Sequence, residues 1–199
     1  AVQTEYQQDD TLTYVVNILN SGNTTMTGVT ISDNLGAYTL NTLTLVPMDY
    51  VVGTVRYYVG GVLQPTPTVT AGPPLTISGL SVPAKGNVTV IYQAKTNDYA
   101  PLAQESSITN TATINANNIA NPITASATVN AYSEPVLRIS KSLTPTTVSE
   151  NGQLTYTFII QNYGNTAADE AAALIVSDRF DPILNPITVA FNGTAWTEG

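Results

Sequence analysis

Residues 12–36 read LTYVVNILNSGNTTMTGVTISDNLG, and residues 154–181 read LTYTFIIQNYGNTAADEAAALIVSDRFD. Each copy opens on Leu-Thr-Tyr and continues through an apolar run. Each then turns at Asn-x-Gly-Asn-Thr and ends a second apolar run on Ser-Asp. Leu12 matches Leu154, Tyr14 matches Tyr156, Asn20 matches Asn162, Gly22 matches Gly164 and Asp33 matches Asp178. The copies stand 142 residues apart up to the turn and 145 at the aspartates, so the second carries three extra residues after its turn. A unit reused at that period is a domain-sized repeat, far longer than one turn of a solenoid.

Within the first copy, Leu12, Tyr14, Val16 and Ile18 alternate with Thr13, Val15 and Asn17, the period-2 pattern of a half-buried strand. Ser21-Gly22-Asn23 reads as a turn, with Gly and Asn suited to positive φ. The next strand places Val29, Ile31 and Asp33 on one face. Residues 34–49 read as a long connection with a short strand near Leu43–Val46, and Val51–Val59 as a strand closed by Gly60-Gly61. The proline-dense run Gln64–Pro74 is a loop or an edge strand, because proline has no N–H for a central ladder. Leu75–Ser78 is a short strand. Clean alternation follows at Val88–Ala94, Ile108–Ile114 and Ile123–Val129. About eight strands separated by turn signals describe a sandwich, not a parallel sheet. The alanines of Ala167–Ala173 read as an insertion forming one helical turn.

Ser133-Glu134-Pro135 is the natural hinge. It divides the chain into a first β-sandwich repeat, residues 1–133, and a second, partial one, residues 134–199. Beyond it the cycle restarts with LRISKSL, the second Leu-Thr-Tyr strand and the strand to Asp178. Val189–Phe191 with Asn192-Gly193 echoes the strand and Gly-Gly turn at Val55–Gly61. The second repeat reads as about half a unit, lacking its last three or four strands. The first lacks a counterpart of the strand that carries Lys141. Ala1 therefore reads as an interior start, in a piece of a longer repeat protein. The fold class is all-β, with tandem Ig-like sandwich units, the second incomplete.

Composition bounds the chemistry. The 199 residues include 43% apolar but only 10% charged side chains, with no Cys and no His. Disulfides, thiolate metal sites and a Ser-His-Asp triad are therefore ruled out. A net charge of −8 with six basic residues argues against nucleic acid and against anionic membrane surfaces. No apolar run approaches the length of a membrane span, and neither a signal peptide nor a wall-anchoring tail is visible. Asp9-Asp10 and Asp178/Asp181 read as solvated loop charge, not as an acid/base pair or a calcium site. No Gly-rich phosphate loop occurs. An enzyme is not indicated, and no cofactor is implied.

Polar residues on apolar faces are the sharper signal. Leu137, Ile139 and Lys141 alternate on one face; so do Leu174, Val176 and Asp178; so do Val29, Ile31 and Asp33; and so do Ile108, Asn110 and Ala112. A Lys, an acid and an Asn pointing inward from separate strands are the parts of an isopeptide cross-link. Burial lowers the lysine pKa so that its amine can attack, and raises that of the acid so that it can carry the proton. The plainer reading, which the sequence favours, has Asp33 and Asp178 capping loops and Asn110 satisfying backbone groups. The first unit lacks the Lys and the second the Asn, so a bond needs residues outside this chain or on a neighbouring one. Three Asn-x-Thr triplets (at Asn23, Asn87 and Asn192) are what chance supplies in an Asn- and Thr-rich chain. Tyr14, Tyr92 and Tyr156 read as core. Trp196 finds no role.

The motif L-T-Y-x5-N-x-G-N-T, with a following strand that ends in Asp, resembles a repeat domain of unknown function in bacterial and archaeal surface proteins. Thr109–Ala112 resembles the late strand of that domain. Gly53-Thr54-Val55, Gly61-Val62-Leu63-Gln64-Pro65 and Phe191-Asn192-Gly193-Thr194 together are similar to two-unit proteins of spore-forming clostridia that resemble spore-appendage components. The resemblance implies an Ig-like sandwich in a secreted or surface-displayed structural protein. Its partners would be copies of itself or related repeat-domain subunits, joined by strand complementation. An adhesin or carbohydrate-binding module on the same fold is the alternative; it predicts an exposed aromatic cluster or a calcium site at one end. A spacer domain attached to an enzyme is a third.

Overall fold

The computed structural model describes residues 1–168, 174–180 and 182–196. The chain forms two units, residues 1–167 and 168–199, and no helix occurs among the described residues. The first unit begins with β1 (Glu5–Tyr6), β2 (Thr11–Leu19), β3 (Met26–Asp33), β4 (Tyr38–Leu40), β5 (Leu43–Leu45) and β6 (Met48–Tyr50). It continues with β7 (Arg56–Val59), β8 (Val62–Leu63), β9 (Thr68–Thr70), β10 (Leu75–Val82), β11 (Asn87–Thr96), β12 (Ser107–Asn115) and β13 (Ile123–Ala131). A hairpin of β14 (Leu137–Thr144) and β15 (Thr155–Asn162) completes it. The second unit contains the hairpin β16 (Val189–Phe191) and β17 (Thr194–Trp196).

Strands β1-β13-β12-β3-β10-β9 make one sheet and β2-β11-β7-β8 the other, with β6 also paired to β11. The alternation read from the sequence is what joins them. Leu12 and Tyr14 of β2, Val88, Val90 and Tyr92 of β11, Val29 and Ile31 of β3, and Ile77 of β10 all turn inward and are buried. Side chains of that size each contribute roughly 1.5–3 kcal/mol when removed from water. The first unit is thus an Ig-like two-sheet β-sandwich whose core lies between the sheets.

Turn chemistry accounts for the connections, with one correction. Gly60 and Gly61 both hold positive φ between β7 and β8, as Asn192 and Gly193 do between β16 and β17. That is the two-residue hairpin turn that needs φ > 0 at both central positions. At the Asn-x-Gly-Asn-Thr turn, by contrast, neither Gly22 nor Asn23 takes a positive φ. Its glycine answers a spatial demand instead: a Cβ on Gly22 would come within 3.1 Å of Asn20 Oδ1, and one on Gly164 within 2.1 Å of the Glu134 carbonyl oxygen.

Other expectations change in detail. Residues 51–55 are a turn, in which the Thr54 hydroxyl donates to the Val51 carbonyl at 2.6 Å, so that strand begins only at Arg56. The Gln64–Pro74 run does supply an edge strand, β9, against β10. The strand expected to end at Asp178 does not form: residues 174–180 join no ladder with another described strand, and a strand outside a ladder leaves its backbone N–H and C=O groups to other partners. The expected helical turn falls on residues 169–173, outside the described residues, as does Asp181.

Candidate functional site

Three polar side chains meet inside the sandwich. Asp33 closes β3, Asn110 lies in the middle of β12 and Tyr92 in β11, and all three are buried, Asp33 completely. Strand pairing brings them together. Val29 and Ile31 drive one face of β3 into the core, and Asp33 follows two residues on. β12 lies against β3 with Ala112 opposite Asp33, so Asn110 points to the same side.

Every polar atom of the cluster has a partner. The Tyr92 hydroxyl donates to Asp33 Oδ2 in a short hydrogen bond. Asn110 Nδ2 donates to the same oxygen at 2.9 Å and lies 3.4 Å from the Tyr92 hydroxyl. Asp33 Oδ1 accepts the Leu35 N–H at 2.9 Å, and Asn110 Oδ1 accepts the Gly36 N–H at 2.9 Å. Leu35 and Gly36 both hold positive φ, and a Cβ at Gly36 would strike Ile108 at 2.4 Å. The cluster therefore also clamps a turn that leucine rarely adopts.

None of these partners is a cation. Burial raises the Asp33 pKa above the ordinary carboxylate value, and the bonds from Tyr92, Leu35 and Asn110 only partly oppose it. Burial and the Asp33 charge likewise push the Tyr92 phenol up. The Tyr14 ring stacks on Tyr92 with centroids 5.6 Å apart. A cleft of about 230 Å³ reaches the cluster from outside, between β2 of one sheet and β12 and β13 of the other. It explains a partial miss: Ile123, Ala125 and Ala127 alternate as expected, yet Ile123 is exposed because the core-facing side of β13 there lines the cleft.

The four candidate residues fare differently. Asp33 and Asn110 are in direct contact. Lys141 lies on β14, its Nζ 4.4 Å from the Tyr156 ring centroid and 5.5 Å from that of Phe158, and it does not line the cleft. Asp178 belongs to the second unit, is exposed, and accepts the Arg179 N–H at 3.0 Å. Tyr92 was legible only as core; its hydroxyl's role becomes visible once β11 faces β3. Asp9 is paired with Lys95 at 2.7 Å, both well exposed. No group of three or more acidic side chains that could hold a metal occurs among the described residues.

No family model and no curated protein matches the chain. Among solved structures it is similar to the pilus backbone protein of Streptococcus pneumoniae, at 19% identity and TM-score 0.42, over 58% of this chain and 26% of that one. It is also similar to the major pilin subunit of Bacillus cereus, at 12% identity and TM-score 0.48, over 79% of this chain and 51% of that one. A third is the collagen-binding domain of a Staphylococcus aureus adhesin, at 14% identity and TM-score 0.38, over 60% of this chain and 87% of that one. The chain thus spans about a quarter of the first protein's length and half of the second's. All three scores fall below 0.5, and the fold assignment stands on the strand pairing described above.

Proposed function

We propose that this chain is a structural subunit of an extracellular bacterial filament, on the cell surface or as a spore appendage, joined to copies of itself by strand addition. The observation that supports it is the outer edge of β2. The Val2 N–H donates to the Thr13 carbonyl at 2.8 Å and the Thr13 N–H to Gln3 Oε1 at 2.8 Å, so the backbone groups of Thr13 point away from β11. In an antiparallel ladder those of Val15 and Asn17 point the same way. Among the described residues no strand covers them, and the cleft opens beside them. An edge of this kind pairs readily with a strand from another chain.

A complement exists on the same chain. Among the described residues, hairpin β14–β15 is a two-stranded sheet with Leu137, Ile139, Ile159 and Ile160 exposed. Such a hairpin is marginal in water without a further partner. The test is a Val15→Pro variant, which removes an outward N–H and leaves the β11 side of the ladder intact. Electron microscopy and sedimentation of the full chain should show concentration-dependent assemblies, and the variant should remain monomeric with an unchanged circular dichroism spectrum. A wild-type chain that stays monomeric at every concentration would overturn the reading.

A further inference from the structure

We propose that the end of the sandwich at Leu102 and Tyr132 is a receptor for the Asn-x-Gly-Asn-Thr turn. The turn at residues 20–24 binds that end of a second copy whose own turn has lifted away. The contact goes beyond strand addition and uses a surface separate from the edge of β2.

The receptor is occupied within the chain by the turn at residues 162–166. Asn165 Nδ2 donates to the Leu102 carbonyl at 2.8 Å and to the Tyr132 carbonyl at 2.9 Å. Asn165 Oδ1 accepts the Glu134 N–H at 3.1 Å. The Val136 N–H donates to Asn162 Oδ1 at 3.0 Å, and the Tyr163 N–H to the Val136 carbonyl at 2.8 Å. The backbone of residues 134–136 passes so close to Gly164 that a Cβ there would lie 2.1 Å from the Glu134 oxygen and 2.6 Å from the Val136 nitrogen. In this copy the glycine and the second asparagine are explained by what they touch: a backbone running past, and two convergent carbonyls.

The first copy carries the same pair without that partner. Asn23 is exposed and does not take a positive φ. Among the described residues its side chain has one hydrogen bond, from the Thr24 hydroxyl at 3.4 Å. The turn is shaped by Asn20 instead. A Cβ on Gly22 would press on Asn20 Oδ1 alone, at 3.1 Å, a far milder demand than that at Gly164. What Gly22 and Asn23 fit together is the backbone that Gly164 and Asn165 already hold. Their own receptor is out of reach. The Lys85 N–H donates to the Gly22 carbonyl at 3.0 Å, which fixes the turn beside the start of β11, whereas Leu102 follows its end. The 10 residues of β11 span about 33 Å. The occupant is therefore the corresponding end of another copy. Charge agrees: the Lys85 ammonium donates to the Ser21 carbonyl, and the receptor end carries exposed Glu105 and Glu134. A seated copy brings Glu134 over Gly22, next to that ammonium.

Each chain thus holds one receptor and two turns that fit it. A tethered turn acts at an effective concentration of about millimolar, so closed chains prevail in dilute solution.

The experiment is sedimentation velocity of the full chain in a Val15→Pro background, where strand addition is silent. Asn165→Ala removes the bonds to Leu102 and Tyr132 and frees the receptor. Association should then begin at a concentration at least about tenfold lower than in the parent. Asn23→Ala, added to that chain, should abolish the gain, and so should Gly22→Ala, by clash with the seated backbone. Both positions are exposed, so the sandwich core is left intact. In a second measurement the isotope-labelled parent is titrated with unlabelled Asn165→Ala chain, and the Gly22, Asn23 and Thr24 amides should shift. The labelled chain is unaltered at both turns, so this result is independent of what the alanine does to hairpin β14–β15. No gain on opening the receptor, or no shift at residues 22–24, would overturn the proposal. A gain that survives Asn23→Ala and Gly22→Ala would belong to the exposed side chains of the hairpin and would overturn it as well. Strand addition is judged separately, by the wild type against Val15→Pro, so either contact can fail while the other stands.

Discussion

Strands β2 and β15 are one motif in two settings. On β2, Leu12 and Tyr14 are 0% and 3% exposed; on β15, Tyr156 and Phe158 are only half-buried and their neighbours are open to solvent. The local structure is nevertheless shared. In both copies the Asn side chain accepts the N–H two residues on, at Gly22 and Gly164, and donates to the carbonyl four residues on, at Thr24 and Thr166. The motif thus encodes a strand and a self-bonded turn, and it does not encode burial. Burial depends on what arrives from elsewhere in the chain. Strand β2 meets β11, some seventy residues later, and shares a core with β3 and β12, whereas among the described residues β15 pairs with β14.

The sharpest way to break this comparison is to truncate the matched leucines. Leu12→Ala should cost about 2–5 kcal/mol through the lost contacts and the cavity left behind. Leu154→Ala, at a half-buried position, should cost less than about 1 kcal/mol. Urea unfolding of the full chain measures both, and equal costs would mean that β15 shares a core as deep as that of β2. The matched asparagines come next. Asn20 is buried and also donates to the Val82 and Pro83 carbonyls at 3.2 and 3.0 Å, which ties the turn to the end of β10. Asn20→Ala should therefore cost roughly 1–3 kcal/mol, through buried carbonyls left unpaired. The bonds of Asn162 go to Gly164, Thr166 and Val136 at the surface, and Asn162→Ala should cost about 1 kcal/mol or less. Hydrogen exchange at the Gly22 and Gly164 amides should separate the two.

The smallest effect is a slope. Asp33 is raised above its unfolded value, so above the ordinary carboxylate pKa the folded state binds more protons than the unfolded one. Stability from this group is full below the unfolded value of about 4 and is lost as pH rises through the folded value. Denaturation midpoints measured from acid to neutral pH should therefore fall with rising pH more in the wild type than in Asp33→Asn. A slope that survives Asp33→Asn would place its origin elsewhere.

The same contrast marks what could be read in advance. Period-2 alternation identified β2, β3, β11, β12 and β13 and the inward direction of Asp33 and Asn110, since side-chain direction in a strand follows residue parity. It failed at Val51–Val55, where a turn interrupts an apolar run, and at residues 174–178, where parity is intact but no described strand pairs. It also missed the part played by Tyr92, because an inward tyrosine looks like any core aromatic until the position of its hydroxyl is known. Asp33 and Asn110 were each visible as inward and polar; their contact was not, since it depends on β12 lying beside β3 across 77 positions of sequence.

The amino-acid sequence by itself determined the all-β class, the strand faces, the places of the turns and the exclusion of thiol and histidine chemistry. These follow from backbone geometry, residue parity and composition, which act locally. Tertiary structure alone decided which copy of the motif is buried, that Asp33, Tyr92 and Asn110 meet, and that among the described residues no strand pairs with the outer edge of β2 above them. Those are questions of which strands become neighbours, and strand order is settled by the collective burial of apolar faces far apart in the chain.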